Sequence, residues 1–148
     1  MQKIKIKNTP IPLCEEIYVD HNIANLIIKK IREADYDKIL FFVDRHLFSK
    51  QKDYIEKLVK KSGACGIVFL NPKAHYKDFR HCEYLLNKLI THKLNRKSCL
   101  VAVGGGFVAD IAGFISSIFM RGIDFVQIPT TMMSMSDAAI GKVAVNFK

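Results

Sequence analysis

Val101-Ala-Val-Gly-Gly-Gly-Phe-Val-Ala-Asp110 places three consecutive glycines between an apolar run and a helix-like segment. Because glycine has no Cβ, a turn made of glycines lets backbone N–H groups approach a ligand closely. The positive end of the helix that follows would face the same point and would favour an anion there. An apolar strand, a glycine turn and a helix in this order predict an α/β domain that holds a nucleotide through its phosphates.

The rest of the chain alternates between strand-like and helix-like segments. Apolar, β-rich runs occur at residues 4–6, 16–19, 38–43, 66–70, 99–103 and 124–128. Apolar residues recur at three- and four-residue spacing in the segments 21–34, 47–61, 77–94 and 109–119. Repeated strand-helix-strand order predicts a Rossmann-like parallel sheet with helices on both faces. Since 148 residues, 49% of them hydrophobic, have the size of one domain, we expect residues 1–148 to form a single domain.

Composition narrows the classes of function. The net charge of +9 lies in residues 1–100, which have 20 Lys and Arg against 11 Asp and Glu, whereas residues 101–148 have three of each. The lysines fall on the polar sides of helix-like segments without interleaved aromatic residues, so solvated helix faces explain them better than a nucleic-acid partner. No segment has the roughly 18 uncharged apolar residues of a membrane span, and the first residues lack the apolar stretch of a secretory signal. We therefore expect a cytoplasmic protein with neither a membrane nor a nucleic-acid partner.

Polar residues follow the predicted strands at the edge where parallel sheets bind ligands. Asp44 comes directly after a strand, where its carboxylate either accepts hydrogen bonds from a ribose or caps the next helix, and its position favours neither. The pattern Gly104-x-Gly106-x-x-Ala109 is a loose match to the dinucleotide fingerprint. The acidic residue of that fingerprint closes a strand, whereas Asp124 opens one, so a standard Rossmann dehydrogenase is disfavoured.

Three further residues bring polar groups into apolar surroundings. Asp110 interrupts an otherwise apolar helix, and since an unpartnered buried carboxylate is costly, we expect it to meet a ligand or a donor. Thr130 and Thr131 follow Pro129 at a strand end, where their hydroxyls either cap a helix or hydrogen-bond a cofactor. Taken one at a time, these residues do not distinguish a structural role from a binding role.

As a combination, residues 104–146 resemble the nucleotide-binding domain of 3-dehydroquinate synthase and its sugar phosphate cyclase relatives. The family pattern is a glycine triplet, an aspartate four residues on, an apolar helix, Met-Arg-Gly, a strand, Pro-Thr-Thr and Asp-Ser-Ser-Val-Gly-Gly-Lys. This chain has, in the same order, Gly104-Gly-Gly, Asp110, Met120-Arg-Gly, Pro129-Thr-Thr and Asp137-Ala-Ala-Ile-Gly-Lys. The first hundred residues agree with the family mainly in the order of their elements.

The resemblance implies a role for each matching residue. The pyrophosphate of bound NAD would be contacted by Gly104, Gly105 and Gly106. The cofactor would be lined by Asp110, Thr130 and Thr131. Near its ribose end would lie Asp44 and Lys77. Cofactor and substrate would meet at the catalytic residues Asp137 and Lys142. The substrate phosphate would be bound by Arg121, supplied in the family across a homodimer interface, and the planar fork of donors of an arginine suits that task.

Similar enzymes use NAD to oxidise a hydroxyl of a seven-carbon sugar phosphate, eliminate phosphate, return the hydride and close the ring by an aldol step, as in the shikimate pathway. In them a zinc or other divalent metal polarises the oxygen that is oxidised. Its glutamate and two histidine ligands belong to a helical C-terminal domain that this sequence lacks, and we see no metal ligands in the chain. We therefore expect the NAD half of a site and no cyclase activity from these 148 residues alone.

Three departures from the family pattern bear on the substrate. Asp137 and Lys142 are one residue closer than in the family, Ala138-Ala139 replaces two serines, and the upstream Gly-Glu-x-x-Lys pattern keeps only Lys77. These changes leave open a cyclase that acts on another sugar phosphate, such as a heptulose 7-phosphate or a glucose 6-phosphate. They also leave open a non-catalytic NAD-binding module.

Overall fold

Two sheets and five helices organise the part of the chain that the structure, a computed structural model, describes: residues 2–4, 17–19, 23–72 and 78–138. The strands are β1 (Gln2–Ile4), β2 (Ile17–Val19), β3 (Ile39–Asp44), β4 (Gly66–Leu70), β5 (Cys99–Gly104) and β6 (Asp124–Pro129). The helices are α1 (Ala24–Glu33), α2 (Arg45–Lys50), α3 (Lys52–Ser62), α4 (Phe79–Thr91) and α5 (Gly106–Ile118). A 3₁₀ turn at Phe119–Arg121 and a π-helical turn at Ser134–Ala138 complete them.

The larger sheet has the strand order β4-β3-β5-β6, and all of its neighbouring strands are parallel. In the centre, β3 and β5 pair in register from Ile39 opposite Cys99 to Val43 opposite Val103. The short strands β1 and β2 pair antiparallel in a separate sheet. The prediction of a Rossmann-like parallel sheet is thus confirmed.

Both faces of the larger sheet are covered by helices, as predicted. Along β3, Leu40 and Phe42 face one core, which they share with buried residues of α4 and α5. Phe41 and Val43 face the other core, which α1 and α3 complete. All four side chains are 0% exposed. A near-continuous apolar run that is buried on both faces is typical of a central strand in a parallel sheet.

The helices differ from the sequence prediction in two places. The segment 47–61 is two helices, because α2 ends before Gln51, whose backbone is not helical, and α3 begins after it. Helix α5 begins at Gly106, three residues before the predicted start, so that a glycine forms part of its first turn. Within the described ranges, no helix has the length and apolar character needed to cross a bilayer.

The cysteines of the described segments differ in solvent exposure. Cys82 and Cys99 are buried and Cys65 is exposed. Burial, together with the negative charge of Asp124, raises the pKa of the Cys99 thiol to about 12, so almost none of it is thiolate near neutral pH.

We expect iodoacetamide at pH 8.5 to alkylate Cys65 in the native protein and to leave Cys82 and Cys99 unmodified. Peptide mass mapping measures each site, and the same reaction in guanidinium chloride, where all of these thiols are accessible, is the control. Modification of Cys99 as fast as that of Cys65 in the native state would contradict the burial described above.

Candidate functional site

The centre of the larger sheet contains a point where the connections reverse direction. β3 leads through α2 and α3 to β4, and β5 leads through α5 to β6 on the other side. These connections cover opposite faces of the sheet. A crevice therefore opens between the carboxyl ends of β3 and β5, which is where sheets of this type bind ligands.

Asp44 lies on one side of this crevice and caps helix α2. Its Oδ1 accepts hydrogen bonds from the backbone N–H groups of His46, at 2.8 Å, and Leu47, at 3.3 Å. Of the two roles that the sequence left open for Asp44, the cap is therefore observed. Oδ2 takes part in neither bond, so the cap leaves the second carboxylate oxygen for a further donor.

The glycine turn lies on the other side of the crevice. β5 ends at Gly104, Gly105 stands at the N-cap position of α5, and no acidic residue or side-chain cap occupies the first turn of that helix. The carbonyl of Gly105 accepts from the N–H groups of Val108 and Ala109, both at 3.1 Å. The N–H groups of Gly106 and Phe107 precede these bonds and have no acceptor within the helix. Two backbone donors and the positive helix end are thus available to an anion.

The turn after β6 packs directly against the glycine turn. Its Thr130 N–H donates to the carbonyl of Gly104 at 3.0 Å, which continues the pairing of Gly104 with Pro129 in the sheet. Thr131 starts the next helical turn, where its Oγ1 accepts from the Ser134 N–H at 3.2 Å. Capping by Thr131 is therefore observed as well. The structure brings together Asp44, the glycine turn and the two threonines.

Ser134 is a residue of this region that the sequence analysis missed. It is 0% exposed, and its Oγ donates to the Thr131 carbonyl at 2.9 Å. It also lies 2.9 Å from Thr131 Oγ1 and accepts from the Thr131 N–H at 3.2 Å. The spacing Thr131-x-x-Ser134, which resembles a reciprocal helix cap, was the signal in the sequence.

Four further residues were predicted for the crevice: Asp110, Asp137, Lys77 and Lys142. Asp110 is partly buried in the second turn of α5, which moderates the cost of desolvating its carboxylate. Asp137 belongs to the π-helical turn after Thr131, and only its backbone is described. Lys77 and Lys142 lie outside the described residues, so their predicted roles stay predictions. Within the described ranges, no three His, Cys, Asp or Glu side chains are grouped to hold a metal ion.

Arg121 lies far from the other predicted residues of the same chain. It is exposed and follows the C-terminal end of α5, whereas the glycine turn precedes the N-terminal end. Thirteen helical residues separate the two ends by about 20 Å. A single copy of the chain therefore does not bring Arg121 to the crevice.

The turn that carries Arg121 has an unfavourable backbone conformation. Met120, Arg121 and Gly122 have φ values of 50°, 72° and 108°, in the left-handed region that favours glycine. For a residue with a Cβ this region costs about 1–2 kcal/mol. Asp35 and Lys93, in the turns after α1 and α4, have similar φ values of 51° and 56°, so this conformation alone does not mark the turn as a functional site.

We expect Met120→Gly to raise the free energy of unfolding by about 0.5–1 kcal/mol, because relief of the strain exceeds the entropy that glycine loses on folding. Urea denaturation followed by circular dichroism measures the change. Ser117→Gly is the matched control, since Ser117 is exposed in the last turn of α5, where glycine should destabilise the protein. Destabilisation of similar size in both variants would contradict strain at Met120.

Comparison with known proteins gives a family match and several related structures. Residues 67–148 match the family model described as 3-dehydroquinate synthase N-terminal. The 3-dehydroquinate synthase of Staphylococcus epidermidis is 34% identical over 130 residues, which cover 88% of this chain and 36% of the relative. The chain thus spans about a third of the length of the curated relatives it matches.

Two solved structures show the shared fold. A 2-deoxy-scyllo-inosose synthase aligns with a TM-score of 0.73 at 26% identity. The alignment covers 85% of this chain and 36% of the synthase chain. The 2-epi-5-epi-valiolone synthase of Streptomyces hygroscopicus, solved with NAD⁺ and Zn²⁺ bound, also has a TM-score of 0.73, at 22% identity over 94% of this chain and 40% of its own. Because the second structure is only 22% identical to this chain, its likeness shows a common fold and nothing further.

Proposed function

The chain belongs to the 3-dehydroquinate synthase family, and we propose that residues 1–148 are the NAD-binding part of a sugar phosphate cyclase. The observation that carries the proposal is the meeting of three turns at the point where the sheet connections reverse. Asp44, the glycine turn Gly104–Gly106 and Thr130–Thr131 each come from a different strand end. The resemblance of residues 104–146 to the nucleotide-binding domain of 3-dehydroquinate synthase, together with the family match, supports NAD as the ligand.

The cofactor pyrophosphate fits the glycine turn and the first turn of α5. The N–H groups of Gly106 and Phe107 have no acceptor within the helix, and an anion there gains from the helix dipole. Among the described residues, and apart from its chain neighbours and the α5 backbone, no atom would lie within 4 Å of a Cβ on Gly106, so this side of the turn is open. The backbone of the turn would therefore hold the pyrophosphate.

Asp44 would hold the ribose at the opposite side of the crevice. Its Oδ1 is fixed by two backbone N–H groups of α2, which sets the position of the whole carboxylate. A ribose hydroxyl would donate to Oδ2, and such a bond to an ionised acceptor contributes about 1.5–3 kcal/mol. The cap and the ribose contact are therefore compatible roles for one side chain.

Turnover would need groups in addition to those of the crevice. NAD, when bound, accepts a hydride from a hydroxyl-bearing carbon of the substrate and later returns it. In this proposal Asp137 and Lys142 lie where the cofactor meets the sugar phosphate. Arg121 binds the substrate phosphate of a partner copy in a homodimer, which agrees with its distance of about 20 Å from the glycine turn. The divalent metal would be held by ligands that the described residues do not supply.

The sugar phosphate itself stays open between two candidates. The family match favours the substrate of 3-dehydroquinate synthase. The shortened spacing between Asp137 and Lys142, together with the fold shared with a 2-deoxy-scyllo-inosose synthase, keeps another sugar phosphate as the second candidate.

Calorimetric titration of the 148-residue chain tests the proposed cofactor site. We expect NAD⁺ and ADP-ribose, which share the pyrophosphate and both riboses, to bind, whereas adenosine, which lacks the pyrophosphate, should give no measurable heat. Failure of NAD⁺ to bind at millimolar concentration would overturn the proposal. Equal binding of adenosine and ADP-ribose would contradict the role given to the glycine turn.

A further inference from the structure

The three consecutive glycines stand in three different environments. A Cβ on Gly104 would lie 2.8 Å from Cγ2 of Val108, and one on Gly106 would lie in open space. A Cβ on Gly105 would lie 3.2 Å from Cγ2 and 3.5 Å from Oγ1 of Thr131. Within the part of the chain that the structure describes, the added Cβ of Gly106 meets no other side chain. At Gly105, in contrast, the methyl group of Thr131 packs against the residue, which explains the glycine there.

The side chain of Thr131 has little freedom to move away from Gly105. Its Oγ1 lies 2.9 Å from Ser134 Oγ and accepts from the Ser134 N–H. Ser134 is 0% exposed and returns two hydrogen bonds to the Thr131 backbone. Rotation about χ1 that withdrew the methyl group would break the bonds of Oγ1, so Ser134 fixes the rotamer that places Cγ2 on Gly105.

We propose that Thr131 is a positioning residue for the cofactor turn: its methyl group, held by Ser134, sets the position of Gly105. This inference rests on the proposed NAD site. It differs from the role that the family resemblance implies, in which Thr131 lines the cofactor, because the Thr131 hydroxyl is engaged by Ser134.

The position of Gly105 matters because this residue is the N-cap of helix α5. Its carbonyl accepts the N–H groups of Val108 and Ala109, so a shift of Gly105 moves the first turn of the helix. The free N–H groups of Gly106 and Phe107 would move with it. The hydrogen bond from Thr130 to Gly104 ties the same two turns together one residue earlier. The packing of Thr131 on Gly105 thus controls where the proposed pyrophosphate donors point.

A double-mutant cycle between Gly105→Ala and Thr131→Ser tests the proposal. Gly105→Ala forces its new methyl group against Cγ2 of Thr131, and we expect NAD⁺ affinity to fall about tenfold because the donors are displaced. Thr131→Ser keeps the hydroxyl and its bonds to Ser134 but removes Cγ2, the group that sets the position of Gly105, so we expect its NAD⁺ affinity to fall about threefold. In the double variant the methyl group added at position 105 has room, so the affinity should return to the value of Thr131→Ser.

The cycle is measured by calorimetric titration with NAD⁺ and by urea denaturation of the same four proteins. An affinity of the double variant as low as that of Gly105→Ala would overturn the proposal, as would full NAD⁺ affinity of Gly105→Ala alone. If Gly105→Ala fails to fold, recovery of folding and binding in the double variant supports the proposal, and no recovery overturns it. Absence of NAD⁺ binding by the wild type would instead reject the proposed function, and the unfolding data would then still show whether Gly105 and Thr131 are coupled.

Discussion

Replacing Gly104 by alanine is expected to lower the free energy of unfolding by about 2–3 kcal/mol, because the added methyl group overpacks a fully occupied site. It would lie 2.8 Å from Cγ2 and 2.9 Å from Cβ of Val108, and 3.2 Å from Cβ of Asp44. Val108 is 0% exposed in the first turn of α5 and, as a β-branched residue in a helix, has one strongly preferred rotamer. Neither neighbour can move without displacing either α5 or the cap of α2.

Gly106→Ala is the matched control, since it adds the same methyl group two residues later. Outside the α5 backbone and the chain neighbours, no atom of the described segments lies within 4 Å of the new Cβ, so we expect the free energy of unfolding to stay the same or to rise slightly. NAD⁺ affinity, in contrast, should fall about tenfold or more, because the methyl group occupies the side from which the pyrophosphate approaches.

Urea denaturation and calorimetric titration of both variants measure the two effects separately. Equal loss of stability in Gly104→Ala and Gly106→Ala would mean that the two glycines do not differ as described. Unchanged NAD⁺ affinity of Gly106→Ala would place the pyrophosphate elsewhere than at the first turn of α5.

Much of the fold follows from the sequence because local patterns and the tertiary structure agree. The apolar run of β3 predicts a strand buried on both faces, and its alternate residues do face two cores. The break at Gln51 was not predictable, because apolar periodicity continues from α2 into α3. The cap at Asp44 shows where α2 starts, but it does not show where α2 ends. Element boundaries depend on such caps, which the apolar pattern does not record.

The sequence indicated which residues lie at the candidate site better than it indicated the role of each residue. Strand ends and glycines mark the residues that gather at the crevice, and the observed turns of Asp44, Gly104 and Thr130 do meet there. The sequence treats the three glycines alike, however, whereas the structure gives each a different neighbour. The rotamer of Thr131 depends on Ser134, and such a side-chain contact becomes apparent only when both are placed in the fold.

Asp44→Ala is expected to differ from Asp44→Asn in stability, whereas both variants should lose affinity for NAD⁺. Alanine leaves the N–H groups of His46 and Leu47 without their acceptor, which should lower the free energy of unfolding by about 1 kcal/mol. It also removes the proposed ribose acceptor, so NAD⁺ affinity should fall about tenfold to a hundredfold. Asparagine caps a helix as well as aspartate does, so Asp44→Asn should keep its stability. Its single amide oxygen is used by the cap and an NH₂ donor replaces Oδ2, so NAD⁺ affinity should fall in Asp44→Asn as it does in Asp44→Ala.

Asp78→Ala supplies the control for a cap without a ribose contact. Asp78 caps α4 by accepting the His81 N–H at 2.9 Å, so its loss should cost the protein a similar amount of stability. Its NAD⁺ affinity should fall much less than that of Asp44→Ala, because α4 follows β4 at the edge of the sheet and the crevice lies between β3 and β5. If Asp44→Ala and Asp78→Ala weakened NAD⁺ binding equally, the effect would come from lost stability, and Asp44 would be a helix cap alone. Loss of NAD⁺ affinity in both Asp44 variants, with stability kept in Asp44→Asn and affinity largely kept in Asp78→Ala, requires a second acceptor role for the carboxylate that already holds α2.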